Sequence, residues 1–289
     1  MQTRPLLEFP LLASIWGGSF IFMKIAGPEF GPILFMALRT LVASLFLYPL
    51  LIWHKQTSAL NGYWPKIFIV GSLNTAVPFV LFGWATLYLS AGMTSVLNAT
   101  TPMFGAIVAF IWLKDKLSIS AVIGLLIGFI GVYFLMLDKL MVNAEAVILP
   151  TLAVLLAALC YGISANYTKR YLSDIKPLAL AAGSQISATL LLLPISLFFL
   201  PSAVPSTNAF AAVITLGIIC TGVAYIIFFR LIAALGPAKT ISVTYLIPAF
   251  GLFWGALFLD EVITTWMICG CLCVLTGVAL TTGVIKFRR

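Results

Sequence analysis

Two stretches of this chain, residues 67–113 and 177–229, contain no Asp, Glu, Lys or Arg. A segment that long without charge has no means of presenting a solvated face. It fits instead in a hydrocarbon layer roughly 30 Å thick, which a helix of about 20 apolar residues crosses. Each stretch holds two crossings with a turn between them. Residues 117–137, 146–168, 240–259 and 262–285 are charge-free runs of single-span length. Two further spans fit before Lys66, divided at the turn signal Gly27-Pro28-Glu29-Phe30-Gly31-Pro32. The expected spans are 10–27, 32–53, 65–88, 92–113, 118–137, 147–168, 177–200, 209–230, 238–259 and 263–285. Ser90-Ala91-Gly92, the segment 201–206 and Gly236-Pro237 supply turns between them. Composition agrees, because only 8% of residues are charged, against about a quarter in soluble domains. A soluble enzyme, a disordered chain and a disulfide-rich secreted domain are excluded. The runs are continuously apolar, not alternating, which argues against a β-barrel. Arg4 and the apolar run after it loosely resemble a signal peptide, but no small-x-small cleavage site follows, so an uncleaved first span is expected.

The basic residues orient the spans. With ten crossings both termini share one side. That side receives Arg4, Lys55, Lys66, Lys114, Lys116, Lys169, Arg170, Lys176, Arg230, Lys239, Lys286, Arg288 and Arg289, and the other receives Lys24, Arg39 and Lys139. Lys and Arg stay cytoplasmic on insertion, so both termini are expected on the cytoplasmic side of the cytoplasmic (inner) membrane. Topology accounts for the net charge of +8. Nothing points to nucleic acid, since no basic patch interleaved with aromatics sits on a soluble domain.

The halves repeat. A shift of 145 carries Trp16-Gly17 onto Tyr161-Gly162, Lys24 onto Lys169, Pro32 onto Pro177 and Pro49 onto Pro194. A shift of 146 carries Gly71, Phe82, Pro102, Gly105, Gly124 and Gly131 onto Gly217, Phe228, Pro248, Gly251, Gly270 and Gly277. Apolar helices match easily at Leu, Ile and Val, but not at Gly and Pro. The expectation is an all-α polytopic membrane protein of ten transmembrane helices, built as five-helix units over 1–145 and 146–289. An odd number of crossings inverts the second unit, the architecture of many secondary transporters, with the substrate near the midplane.

Trp16-Gly17-Gly18-Ser19-Phe20 with Lys24, Arg39, the segment from Pro78 through Ser90-Ala91-Gly92 to Asn98-Ala99-Thr100-Thr101-Pro102, the turn Asp115-Lys116-Leu117-Ser118, the glycines 124, 128 and 131, and Pro248, Asp260-Glu261 and Gly270 to Gly277 together carry a resemblance. The chain resembles EamA-type transporters of the drug/metabolite transporter superfamily over nearly its whole length. Asp115 stands where members often have Glu. The resemblance implies a ten-helix exporter of amino acids or related small metabolites.

Individual residues refine this. Arg39 lies two turns inside the second span, about 12 Å deep, where a charge costs roughly 3 kcal/mol at the centre. It serves either as a counter-charge for a carboxylate substrate or gate, or as a snorkelling or carbonyl-bound side chain. No Asp or Glu lies in mid-span, whereas proton-driven exporters of organic cations need a titratable midplane acid. The path must therefore use neutral and aromatic groups. Trp16, Asn74, Trp84, Asn98, Tyr161, Gln185, Tyr225 and Tyr245 are the substrate-binding candidates, with Arg39 as counter-charge or gate. Asn98 precedes Pro102 by about a turn, where a kink frees carbonyls. Helix-to-helix bonding is the other reading of Asn98, and an interfacial belt the other reading of the aromatics. Gly124, Gly128 and Gly131 form a close-packing face, within the chain or between copies, so a monomer or weak homodimer is expected. The five Cys lie within spans without metal-ligand spacing. No cofactor, metal or catalytic residue is expected, and an intramembrane enzyme would need a nucleophile–base pair or acid dyad that the spans lack. The expected activity is export by alternating access, as facilitated diffusion or exchange. The alternative is efflux of drugs or other organic solutes.

Overall fold

A computed structural model describes residues 3–140, 145–235, 240 and 242–285, and among them the regular structure is entirely helical. The first two helices are α1 (Thr3–Phe30) and α2 (Pro32–Trp53). Helix α3 (Trp64–Gly71), a π-helical segment (Ser72–Ala76) and α4 (Val77–Ala85) form one rod. Helices α5 (Ala91–Asn98) and α6 (Thr101–Val108), with a second π segment (Ala109–Leu113), form the next. Then come α7 (Ile119–Leu140), α8 (Glu145–Tyr171) and α9 (Pro177–Ser196). Helix α10 (Thr207–Gly217), a third π segment (Ile218–Val223) and α11 (Ala224–Leu235) make another rod. A 3₁₀ turn (Ser242–Tyr245) leads into α12 (Ile247–Leu259), and α13 (Thr265–Thr281) is the last described helix.

Eight of these rods are long and apolar enough to cross a membrane, and the last two, α12 and α13, are shorter apolar helices. The tenfold count is thus met in full length by the first eight only. The expected ninth span begins at 238, and the Gly236-Pro237 turn before it lies outside the described residues. Its next part is 3₁₀, because Pro248 has no N–H to continue the helix backwards. The expected break near residue 27 also moves. Helix α1 runs through Pro28 to Phe30, and the reversal falls on Gly31 alone, at φ +70°. That left-handed conformation suits glycine, and Pro32 then occupies the first turn of α2. Other turns follow local chemistry. The side chains of Ser90, Ser206 and Thr264 accept the N–H groups of Met93, Ala209 and Met267, capping α5, α10 and α13.

Helix α2 packs against α9, α7 against α13, α1 against α12, and α8 against α4 and α6. The glycines set how close these approaches are. A Cβ on Gly124 would lie 2.5 Å from the Gly277 carbonyl oxygen, and one on Gly131 2.8 Å from that of Gly270. The small-residue face of α7 is therefore filled by α13 of the same chain. Gly17 meets Phe250 and Gly251 of α12 in the same way, and Gly162 meets Phe104 and Gly105 of α6. At the α2–α9 contact the hydroxyls of Ser44 and Thr189 are 3.2 Å apart.

Two turns share an unusual C-cap. Lys114 and Asp260 both adopt left-handed backbone, at φ 58° and 53°. After Asp260, the carboxylate of Glu261 accepts the N–H groups of Ala91 (2.6 Å) and Gly92 (3.0 Å), tying the α12–α13 turn to the start of α5. Charge-assisted bonds at a helix N-terminus contribute about 1–2 kcal/mol when partly exposed. Glu261→Ala is expected to lower the thermal midpoint in detergent by several degrees, and Glu261→Gln to recover part of that. An unchanged midpoint in the alanine variant would show that the bond contributes nothing.

Candidate functional site

The candidate site centres on a charge that the helices bury. Arg39 on α2 is only 6% exposed. Its guanidinium carbon stacks 3.6 Å from the centroid of Phe79, at the start of α4. Its Nε donates to the Thr221 hydroxyl at 3.3 Å, and its Nη1 lies 4.0 Å from the Met36 sulfur. Stacking on an aromatic face suits a planar guanidinium. No acidic side chain pairs with Arg39 among the described residues; ion pairs join Arg230 to Glu8 (3.1 Å) and Lys169 to Asp115 (3.6 Å) instead. Among the described residues Arg39 thus neither reaches the surface nor bonds a carbonyl. Lys24 does the latter, donating to the Thr86 and Leu89 oxygens at 2.8 and 3.0 Å.

Tyr161, Cys220 and Tyr225 are the other groups close enough to interact with the Arg39 charge. Asn74 lies beside the Tyr225 hydroxyl. Tyr161 stacks on Phe82 with ring centroids 5.9 Å apart. Four rods therefore contribute: α2, the α3–α4 rod, α8 and the α10–α11 rod.

Two of the three π segments carry polar members of this cluster. Widened turns of this kind recur at functional positions because they free backbone groups and re-aim side chains. One holds Asn74 and Thr75, just before Pro78. The other holds Cys220 and Thr221, and the Thr221 hydroxyl donates to the Leu216 oxygen five residues back (2.9 Å). Helix α9 packs against α2 and against the segment bearing Asn74. It carries Gln185, which is fully buried, with neither its amide oxygen nor its nitrogen hydrogen-bonded. The hydroxyls of Thr75 and Ser187 are buried and unpartnered as well. Leaving such groups unsatisfied costs about 1–3 kcal/mol each.

The structure thus groups Arg39, Asn74, Tyr161 and Tyr225, with Gln185 on a neighbouring helix. Trp16 packs on Phe228, with centroids 5.4 Å apart. Asn98 ends α5 at the break before Pro102, where the freed carbonyls are taken by threonines: Thr100 donates to the Leu97 oxygen and Thr101 to that of Asn98. Trp84 and Tyr245 stand apart from the Arg39 cluster. Trp84 lies against Tyr88, which is 49% exposed, and the Tyr245 hydroxyl is bonded to that of Thr282. Phe79, Thr75 and Thr221 are absent from the sequence-derived candidates. Their signal is the repeat itself, since a shift of 146 carries Thr75 onto Thr221 and Phe79 onto Tyr225. Among the described residues no group of three or more His, Cys, Asp or Glu could hold a metal ion.

Such an arrangement can receive a carboxylate. Comparison with known proteins supplies the family. A solved crystal structure, 17% identical in sequence, superposes with a TM-score of 0.69 over 98% of this chain and 99% of that one, sharing the fold. "Uncharacterized transporter YoaV" of Bacillus subtilis (strain 168) is 25% identical over 278 residues, 95% of each chain. A "Probable terminal-alkyne amino-acid exporter" of Streptantibioticus cattleyicolor is 24% identical over 203 residues, 68% of this chain and 66% of that protein. The EamA-like transporter family matches residues 7–137 and 149–283, which include Arg39, Asn74, Tyr161 and Tyr225. This integral membrane chain belongs to the EamA-like transporter family.

Proposed function

We propose that the protein is a secondary carrier exporting amino acids or related small metabolites across the cytoplasmic membrane. It works by alternating access, as facilitated diffusion or exchange, without a metal or cofactor. The observation that carries this reading is Arg39, buried without a carboxylate partner among the described residues and held near Asn74, Phe79, Tyr161 and Tyr225. A carboxylate there would neutralise a charge that is otherwise expensive to bury. The exporter name of one relative supports amino-acid-like cargo.

For the mechanism we read α12 and α13 as the ninth and tenth spans, and 1–145 and 146–289 as inverted five-helix repeats with both termini cytoplasmic. Several observations support it. Exchanging the halves maps α1 against α12 onto α8 against α6, and leaves the α2–α9 and α7–α13 pairs unchanged. Ser44 and Thr189, which touch, are repeat mates, and the π segments at Ser72–Ala76 and Ile218–Val223 correspond. The aromatic pairs Trp16–Phe228 and Tyr161–Phe82 also exchange. Two halves with interchangeable packing can swap conformations, moving access from one face to the other. We read the protein as a monomer or weak homodimer.

Counterflow in proteoliposomes tests the carrier reading. Unlabelled substrate inside should drive uptake of label against its gradient, which a channel cannot do. Absence of counterflow across a broad panel of amino acids and their derivatives would overturn it. Trp16→Ala and Asn98→Ala are expected to lower transport while leaving the folded yield intact. Wild-type rates in both would remove those residues from the path.

A further inference from the structure

We propose that the cargo is a small organic monoanion: a carboxylate whose neighbouring carbon bears an oxo, hydroxyl or acylated amino group in place of a free ammonium. This rests on the carrier reading and narrows its cargo to the related small metabolites that are acids, setting free amino acids aside.

The charge count at the site comes first. Arg39 brings one buried positive charge, and no carboxylate answers it among the described residues. The acidic groups with described partners lie away from it: Glu8 pairs with Arg230, Glu29 bonds Ser206, Asp115 pairs with Lys169, Asp174 bonds Ser173, and Glu261 ties down Ala91 and Gly92. A monoanion leaves the occupied site neutral. A zwitterion adds an ammonium and leaves it with a net charge of +1, held only by neutral oxygens and rings. Charges in a low-dielectric interior interact far more strongly than in water, so this difference is selective.

The donors suit the same guest. Arg39 has N–H groups beyond the one given to Thr221. The Tyr161 hydroxyl makes no hydrogen bond among the described residues, although Tyr161 interacts with the Arg39 charge. A carboxylate accepts from a guanidinium fork and a phenol together. The uncommitted amide of Gln185, on the adjoining helix, can meet an oxo, hydroxyl or amide group.

The membrane potential favours the same cargo. No Asp or Glu lies in mid-span to couple export to protons. An inside-negative membrane potential itself expels an anion, worth about fiftyfold in concentration per 100 mV. Arg39 stays anchored on α2, so the cargo carries the charge that crosses. Export of a monoanion then needs no coupling ion, whereas a zwitterion gains nothing from the potential.

The test uses the full chain in liposomes at pH 7.4, with protein-free liposomes as controls. The matched probes are 4-methyl-2-oxopentanoate, N-acetylleucine, leucine and 3-methylbutylamine, and a potassium gradient with valinomycin sets an inside-negative potential. Efflux of the two anions is expected to exceed that of leucine by about tenfold or more. It should accelerate with the potential and vanish in Arg39→Gln. Each anion should also raise the thermal midpoint of the wild type, and not of Arg39→Gln. Leucine carried as fast as the anions, or anion efflux indifferent to the potential, would overturn the proposal and leave the carrier reading standing. Absence of counterflow for these probes and for the amino-acid panel would overturn the carrier reading itself.

Discussion

Arg39→Met is expected to abolish transport, by about a hundredfold or more, while leaving the protein as stable as wild type or more so. The two effects have one origin. Arg39 is buried, stacked on Phe79 and without a carboxylate partner among the described residues. Removing such a charge relieves a desolvation cost of several kcal/mol. Methionine keeps an unbranched stem out to the ε position, and its sulfur packs well on an aromatic ring. A residue kept for stability would behave in the opposite way, since its removal would lower the thermal midpoint. The check is a thermal-unfolding curve in detergent beside a proteoliposome rate. A rise or no change in midpoint with lost transport marks Arg39 as a ligand group. A midpoint lower by several degrees would make it a structural residue and weaken the anion argument. Arg39→Lys is expected to restore little, because an ammonium has neither the planar stack nor the forked donors.

Gly277→Leu is expected to give no folded protein, and Gly277→Ala to cost about 3 kcal/mol. Gly277 sits where α13 crosses α7. A Cβ there would lie 2.6 Å from the Gly124 oxygen and 2.6 Å from the Gly128 nitrogen, both backbone atoms that no rotamer change can move. Membrane helices associate by packing and hydrogen bonding without a hydrophobic drive between them, so a forced separation loses the contact outright. Gly105 provides the control. A Cβ there meets nothing within 4 Å, and Gly105→Ala should be neutral or gain up to about 1 kcal/mol from helix propensity. Fluorescence-detected gel filtration of the variants separates these outcomes. Equal monodisperse yields for Gly277→Ala and Gly105→Ala would mean that the two helices adjust freely.

The helical rods are legible in the sequence because a charge inside hydrocarbon is expensive, so uncharged runs mark where the chain crosses. Several Gly matches between halves are legible for a related reason: at Gly17, Gly124 and Gly131 and at their mates, close backbone contact leaves no room for a side chain. Gly17 and Gly162, in register in the sequence, meet α12 and α6 backbone in the same way. The site is less legible. Asn74, Tyr161 and Tyr225 stand out as polar or aromatic groups in apolar spans, but so do Trp84 and Tyr245, which turn to Tyr88 and Thr282 instead. A polar residue in a span is conspicuous whichever neighbour it has, and the neighbour decides its role. Phe79, by contrast, looks like any core aromatic until a guanidinium is found on its face.

The sequence by itself determined that this chain lives in lipid, roughly where its rods begin and end, and that its halves share a pattern, since each follows from the energy of placing one residue type in one environment. Only the tertiary structure decided which polar groups meet. Arg39, Phe79, Tyr161 and Thr221 lie on four separate rods, and their encounter depends on helix rotation and crossing distance. Backbone glycines and widened π turns set those quantities through contacts between residues far apart in the chain, and no local pattern encodes them.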